Sequence, residues 1–265
     1  MNYHTTSSFS FSAMMKVLII SVLGLSSAEA ETNQQPNSGV VLDANEDLDQ
    51  EQLNLLVRDI EHAKRRVITY LNNAEIYGSV YKDKEINIIV SNEFRFPYQE
   101  GHKIYLPQSR IENLLSGSCE TKNCSLAVTH ELTHIFAKSA YRDNKDIMFG
   151  GRFFDDGLAV FIQHKLGLRP SYPNFGEGLH ITVAKLMKER DLVPLADAEY
   201  VRNTTKDNTL RRLAYLQEGS FTEFLIETYG LNQYLKVYFG DNPKKIMGYD
   251  MVALEQQWKS FIQEL

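Results

Sequence analysis

The sequence predicts an α+β fold: a small N-terminal mixed sheet beside one buried helix, then a mainly helical C-terminal lobe. Three observations predict it. Two short β-rich runs, residues 85–92 (EINIIVSN) and Lys103–Pro107 (KIYLP), lie early in the chain. From Ser125 onward the apolar residues recur mostly at helical spacing. Strands grouped before helices, rather than alternating with them, indicate α+β.

The elements follow in order. Met14, Met15 and Lys16 precede a nine-residue apolar run, Val17 to Leu25, and then Ala28-Glu29-Ala30. A short basic region, a short apolar run and an A-x-A pattern make a cleavable secretory signal, with cleavage expected after Ala30. The run is too short to span a bilayer, which needs roughly 20 residues. The first thirteen residues carry no Lys or Arg, which makes Met14 or Met15 a candidate start. No cysteine lies near the cleavage point, so no lipoprotein anchor is expected. The protein is therefore expected to be secreted or periplasmic, with no stable membrane insertion after cleavage.

Residues 31–50 are polar and aperiodic and read as a flexible leader. Residues 51–265 read as one domain. Leu53, Leu56, Val57, Ile60, Ala63, Val67, Ile68 and Leu71 form a helical stripe, with Arg58, Glu61, Lys64 and Arg65 opposite and Gly78 as terminator. The two β runs follow. Cys119 and Cys124 are the only cysteines. In an exported chain a pair this close most simply forms a disulfide, and zinc binding by the pair is the alternative. Residues 125–141 and 155–167 read as helices, the second ended by Gly167. A loop rich in Pro and Gly leads to a helix near residues 181–188. Residues 214–230 form a helix ended by Gly230. Met251, Leu254, Trp258, Phe261, Ile262 and Leu265 share one face of a C-terminal docking helix.

Charge narrows the function. The chain has 28 Lys+Arg against 34 Asp+Glu in 265 residues, a net charge of −6. Removing residues 1–30 removes one Lys and one Glu and leaves that balance unchanged. No basic surplus exists to displace counterions from phosphates, so nucleic acid is excluded as the main partner. P-loop, G-x-G-x-x-G and G-x-S-x-G patterns are absent. Asn123-Cys124-Ser125 and Asn203-Thr204-Thr205 match the glycosylation sequon.

One motif names a chemistry. His130-Glu131-Leu132-Thr133-His134 is HExxH. On a helix, residues four apart differ by about 40° in rotation and ~6 Å in height. Both imidazoles therefore leave one face and can meet one zinc ion. Glu131 lies about 100° round, badly placed to ligate but able to reach a water at the ion and act as general base. The flanking residues Ala127, Val128, Thr129, Leu132, Thr133, Ile135 and Phe136 are all uncharged, as expected for a helix buried beneath a cleft. A catalytic zinc takes three protein ligands and one water.

Residues 153–161, FFDDGLAVF, supply the third ligand by resemblance. They are similar to the third-ligand helix of gluzincin metallopeptidases, roughly aromatic-x-x-Glu-Gly-hydrophobic-Ala, in which the ligand immediately precedes the glycine. Asp156 holds that place. Aspartate for glutamate is a departure, one methylene shorter, although aspzincin-type HExxH enzymes also use aspartate. Asp155 and His164 are the alternatives. SLAVTHELTHIF, FFDDGLAVF, AYLQEGSFTEFLIETYG and LEQQWKSFI occur in the order seen in small peptidase-MA-like domains of that clan. The resemblance implies a zincin-like fold from about Ile86 to the C-terminus. It also implies that KIYLP is the edge strand lining the cleft and that Tyr215 stabilises the oxyanion. No Gly-x-Met-x-Asn-type sequence is present, which leans away from aminopeptidases.

The resulting expectation is an exported zinc peptidase acting on a peptide or protein. His130, His134 and Asp156 bind Zn2+, Glu131 is the base and Tyr215 assists. The alternative is a non-catalytic binding or assembly module on a gluzincin-like scaffold with a structural or vestigial zinc.

Overall fold

Four short strands form one mixed sheet, in the order β1-β2-β4-β3. They are β1 (Val40–Ala44), β2 (Ile86–Ser91), β3 (Tyr98–Glu100) and β4 (Lys103–Pro107). A computed structural model describes residues 40–44, 48–74, 76, 81–117, 125–143 and 152–265. All of them belong to one compact unit, Asn37–Leu265. The expected signal at 1–30, most of the 31–50 segment, Gly78 and the Cys119/Cys124 pair lie outside the described residues. No helix among the described residues is long and apolar enough to cross a membrane.

The two expected strands are β2 and β4. Their alternation places Ile86, Ile88, Val90, Ile104 and Leu106 in the core, each fully buried. They pair in parallel, Ile88 with Ile104 and Val90 with Leu106. Two strands differ from expectation. Val40–Ala44 falls in the segment read as a flexible leader, yet it pairs in parallel with β2 from Val40↔Ile86 to Ala44↔Val90. KIYLP is not the edge strand, because β3 covers its free side in antiparallel pairing. Gly101, with φ of 63°, turns the chain from β3 back into β4. The rings of the paired Tyr98 and Tyr105 stack with centroids 4.4 Å apart.

Helix α1 (Gln50–Leu71) opens on a capping box: Asp49 accepts from the Gln52 N–H, and the Gln52 side chain accepts from the Asp49 N–H. It buries Leu55, Leu56, Ile60, Ala63, Val67 and Leu71. Leu53, Val57 and Ile68 are only half-buried, so the buried face is turned from the expected one. Lys64, expected on the solvent side, is buried and pairs with Asp83 at 2.7 Å. The helix ends at Asn72, whose side chain clamps the backbone of Tyr81.

The remaining helices are α2 (Gln108–Leu115), α3 (Val128–Asp143), α4 (Arg152–Leu166), α5 (Leu179–Met187), α6 (Leu195–Thr204), α7 (Asn208–Tyr229), α8 (Leu231–Tyr238), α9 (Pro243–Met247) and α10 (Met251–Gln263). Helix α7 starts six residues before the expected 214, capped by Asp207, which accepts from the Thr209 and Leu210 N–H groups. Helix α10 docks as expected through Leu254, Trp258 and Ile262, while Leu265 is exposed. Sheet and helices share one continuous apolar core.

Helices α4 and α7 touch at two glycines. A Cβ at Gly157 would lie 2.4 Å from Thr222 Oγ1 and 2.7 Å from the Glu218 carbonyl oxygen. A Cβ at Gly219 would lie 2.3 Å from Val160 Cγ1. Gly219→Ala is expected to cost about 1–3 kcal/mol of unfolding free energy, outweighing alanine's better helix propensity. Val160→Ala should couple favourably to it, because the clash is with a side chain. Gly157→Ala meets backbone, so no side-chain truncation should relieve it fully. Urea unfolding of these variants checks the account, and wild-type stability in Gly157→Ala would refute it.

Candidate metal centre

Helix α3 begins after Ala127, a non-glycine residue at φ of 57°. Leu132, Ile135 and Phe136 point into the core and are fully buried, which fixes the rotation of the helix. The other face carries His130, Glu131 and His134. Helix α4 presents Asp156, buried, to the same place. One ligand atom from each of His130, His134 and Asp156 lies within 4.8 Å of the others.

The geometry suits one small cation. The two Nε2 atoms are 3.1 Å apart. His134 Nε2 lies 3.6 Å from Asp156 Oδ1. Tetrahedral bonds of about 2.0–2.1 Å set ligand atoms roughly 3.3 Å apart, so these two separations are close to that spacing. His134 is also approached at its second nitrogen: Nδ1 lies 2.9 Å from Asp155 Oδ2. In a tautomer with the proton on Nδ1 of each ring, both Nε2 atoms carry lone pairs that face each other. Such a pair needs a shared cation, a proton or a metal.

Charged groups surround the triad. Asp155 lies outside it: on the adjacent helix position it turns behind His134, accepts from Tyr238 Oη at 2.9 Å and pairs with Lys138. Burial alone would raise the Asp155 carboxyl, but His134 and Lys138 hold it down at about 2. Asp156 turns its second oxygen to Arg202, 2.6 Å away. Arg202 Nε lies 3.2 Å from Glu218 Oε1, which is fully buried. His164 is not brought to the centre. Its Nδ1 accepts from Asn174 Nδ2 at 2.8 Å, beside a separate small cavity.

Burial and the His134 charge push His130 well below the usual imidazole range. Burial opposes protonation of His134, but Asp155 outweighs it and raises that imidazole. Glu131 is raised to about 7, first by burial and then by the two aspartates, against the pull of His134 and Lys138.

A cavity of about 570 Å³ opens over His130 and Glu131. Tyr215 lines it, as do Phe96, Pro97, Tyr172 and Arg211. Burial raises the Tyr215 phenol and keeps it protonated. The Arg202 guanidinium lies over the Tyr215 ring, 4.7 Å from its centre. The structure thus gathers His130, His134 and Asp156 as a triad and sets Glu131 and Tyr215 on one cavity wall. Sequence reasoning missed Arg202, Glu218, Lys138 and Tyr238. Only two carried a signal: Lys138 is one helical turn beyond His134, and Glu218 precedes Gly219 as Asp156 precedes Gly157.

In the metal-free protein the depressed Asp155 contributes stability that is present above its ordinary value of 3.8 and is lost as pH falls towards about 2. By about pH 3 the loss should be on the order of 1 kcal/mol. Asp155→Asn should remove that part of the acid limb, read as a smaller change in urea midpoint between about pH 5 and pH 3.

Comparison with protein-family models, with curated proteins and with solved structures found no match.

Proposed function

We propose that the chain is a zinc-dependent hydrolase of peptide bonds. The single observation that carries this reading is the convergence of His130, His134 and Asp156, with Glu131 beside them on a cavity wall. His130 Nε2, His134 Nε2 and Asp156 Oδ1 would hold the metal. When bound, zinc polarises a carbonyl and lowers the pKa of a water held at the centre.

The chain's own groups supply the rest. Asp155 lies behind His134 at Nδ1, which leaves Nε2 of that ring facing the centre. Arg202 holds the second oxygen of Asp156, so that one oxygen remains for the metal. Glu131, buried and shifted towards neutrality, is suited to take a proton from the attacking water and return it to the leaving amine nitrogen. The Arg202 guanidinium packs on the Tyr215 ring, and burial keeps the phenol proton in place, so Tyr215 can donate to an oxygen that gains charge in the cavity. The gluzincin resemblance of the sequence supports the same assignment, with aspartate as third ligand. A base beside the triad argues for turnover over the alternative of a non-catalytic module.

Elemental analysis and a peptide-library cleavage assay test this together. Wild type should hold about one zinc per chain, and Asp156→Ala should lose it. Arg202→Met should weaken zinc affinity by about 10–100-fold. Glu131→Gln should keep its zinc and lose about 10²–10⁴-fold in kcat. Tight zinc with no cleavage of any library member would favour the binding module instead.

A further inference from the structure

The cavity runs against the sign of the whole chain. The chain carries a net charge of −6. Yet the charged side chains lining the cavity are two arginines, Arg110 and Arg211, and one carboxylate, Glu131.

Arg211 occupies a defined place. Asn208, Arg211 and Tyr215 all line the cavity, at steps of three and four along α7 that bring them to one helix face. Arg211 therefore stands one turn, ~6 Å, from Tyr215 towards the start of the helix. It is half-buried, and its guanidinium is fixed by neutral oxygens: the Arg202 carbonyl at 3.3 Å, the Thr205 carbonyl and Asn208 Oδ1 at 3.4 Å. The nearby carboxylates are engaged elsewhere, Asp207 with Arg190 and both Asp156 and Glu218 with Arg202. Among the described residues Arg211 has no carboxylate within 4.0 Å. A positioned guanidinium fork that meets only carbonyl dipoles is suited to a carboxylate from outside.

We propose that the cavity selects peptides carrying a carboxylate within about a residue of the bond to be cut, with Arg211 as the specificity-determining residue. The inference rests on the hydrolytic reading of the cavity. The carboxylate can come from an Asp or Glu side chain or from the peptide's own C-terminus, since both offer the same two oxygens to the fork.

Binding, measured apart from cleavage, tests it. The probes are three fluorescent hexapeptide pools built from neutral residues. One contains a single Asp and an amidated C-terminus, one has a free C-terminus and no acidic side chain, and one is amidated with Asn in place of Asp. Fluorescence polarisation on zinc-loaded Glu131→Gln protein gives the affinities. One acidic pool should bind at least about tenfold more tightly than the neutral pool, with the advantage shrinking at high salt. The pool that does so identifies the source of the carboxylate. Adding Arg211→Gln should abolish the advantage, and Arg211→Lys should keep part of it, in proteins whose urea midpoints match the parent. Equal affinities, no binding by any pool, or an advantage that survives Arg211→Gln would each overturn the proposal. An advantage that survives would mark a carboxylate drawn to the metal alone. Wild-type cleavage is read separately. Cleavage without acid preference removes this inference and leaves the hydrolytic reading, and acid-selective binding without cleavage does the reverse.

Discussion

The close approach of α4 and α7 is the constraint on which the candidate site depends. Any side chain at Gly157 or Gly219 would collide with the facing helix. Each glycine directly follows an acid of the site: Asp156 precedes Gly157, and Glu218 precedes Gly219. The contact that removes the side chains therefore also sets two carboxylates a short distance apart across the helix pair. Arg202 from α6 fills the gap between them, 2.6 Å from one and 3.2 Å from the other. A wider helix spacing would separate the carboxylates and move Asp156 away from the α3 histidines.

That arrangement concentrates charge where water is scarce. Asp155, Asp156, Glu218 and Arg202 are all buried. Burying ions costs several kcal/mol each unless the partners are close and well placed, and apolar residues of equal volume often serve stability as well or better. Burial and nearby acids push Glu218 well above the usual carboxylate range even beside Arg202. Stability alone is a poor reason to keep such a cluster. A centre that must hold ligand atoms at fixed spacing is a better one, since each charge restrains the orientation of the next. Tyr238 and Lys138 restrain Asp155, Asp155 restrains His134, and Arg202 restrains Asp156.

What could be read in the sequence was whatever depends on local spacing. HExxH needs only a helix to bring two imidazoles to one face, and the uncharged flanks marked that helix as buried. The β-rich composition of residues 85–92 and 103–107 marked two strands, and the apolar spacing of residues 254–262 marked the docking helix. Features set by partners distant in the chain left no such trace. Strand β1 exists through its ladder to β2, more than forty residues away, and β3 is three residues of polar and aromatic character. The first turn of α7 opens on exposed Asn208 and Thr209 and continues through half-buried arginines, so no apolar periodicity announced it. Tyr238 meets Asp155 across 83 positions with no pattern joining them. Adjacent aspartates could not be sorted by type either. Helical rotation sends Asp156 to the histidine face and Asp155 behind His134, and only the packed helix shows which is which.

The aspartate at position 156 gains a physical reason from this geometry. A carboxylate one methylene shorter than glutamate has to start from a backbone held nearer the histidines. Helix α4 packs on α3 as well as α7, and with no Cβ at Gly157 it sits hard against α7. From there Asp156 Oδ1 already lies 3.6 Å from His134 Nε2. A glutamate side chain would extend roughly 1.5 Å further into a gap sized for a metal, and would have to fold back. Folding back would draw its second oxygen off Arg202 and leave that guanidinium with Glu218 alone. The short side chain at 156 and the glycine-tight helix pair are thus two parts of one arrangement.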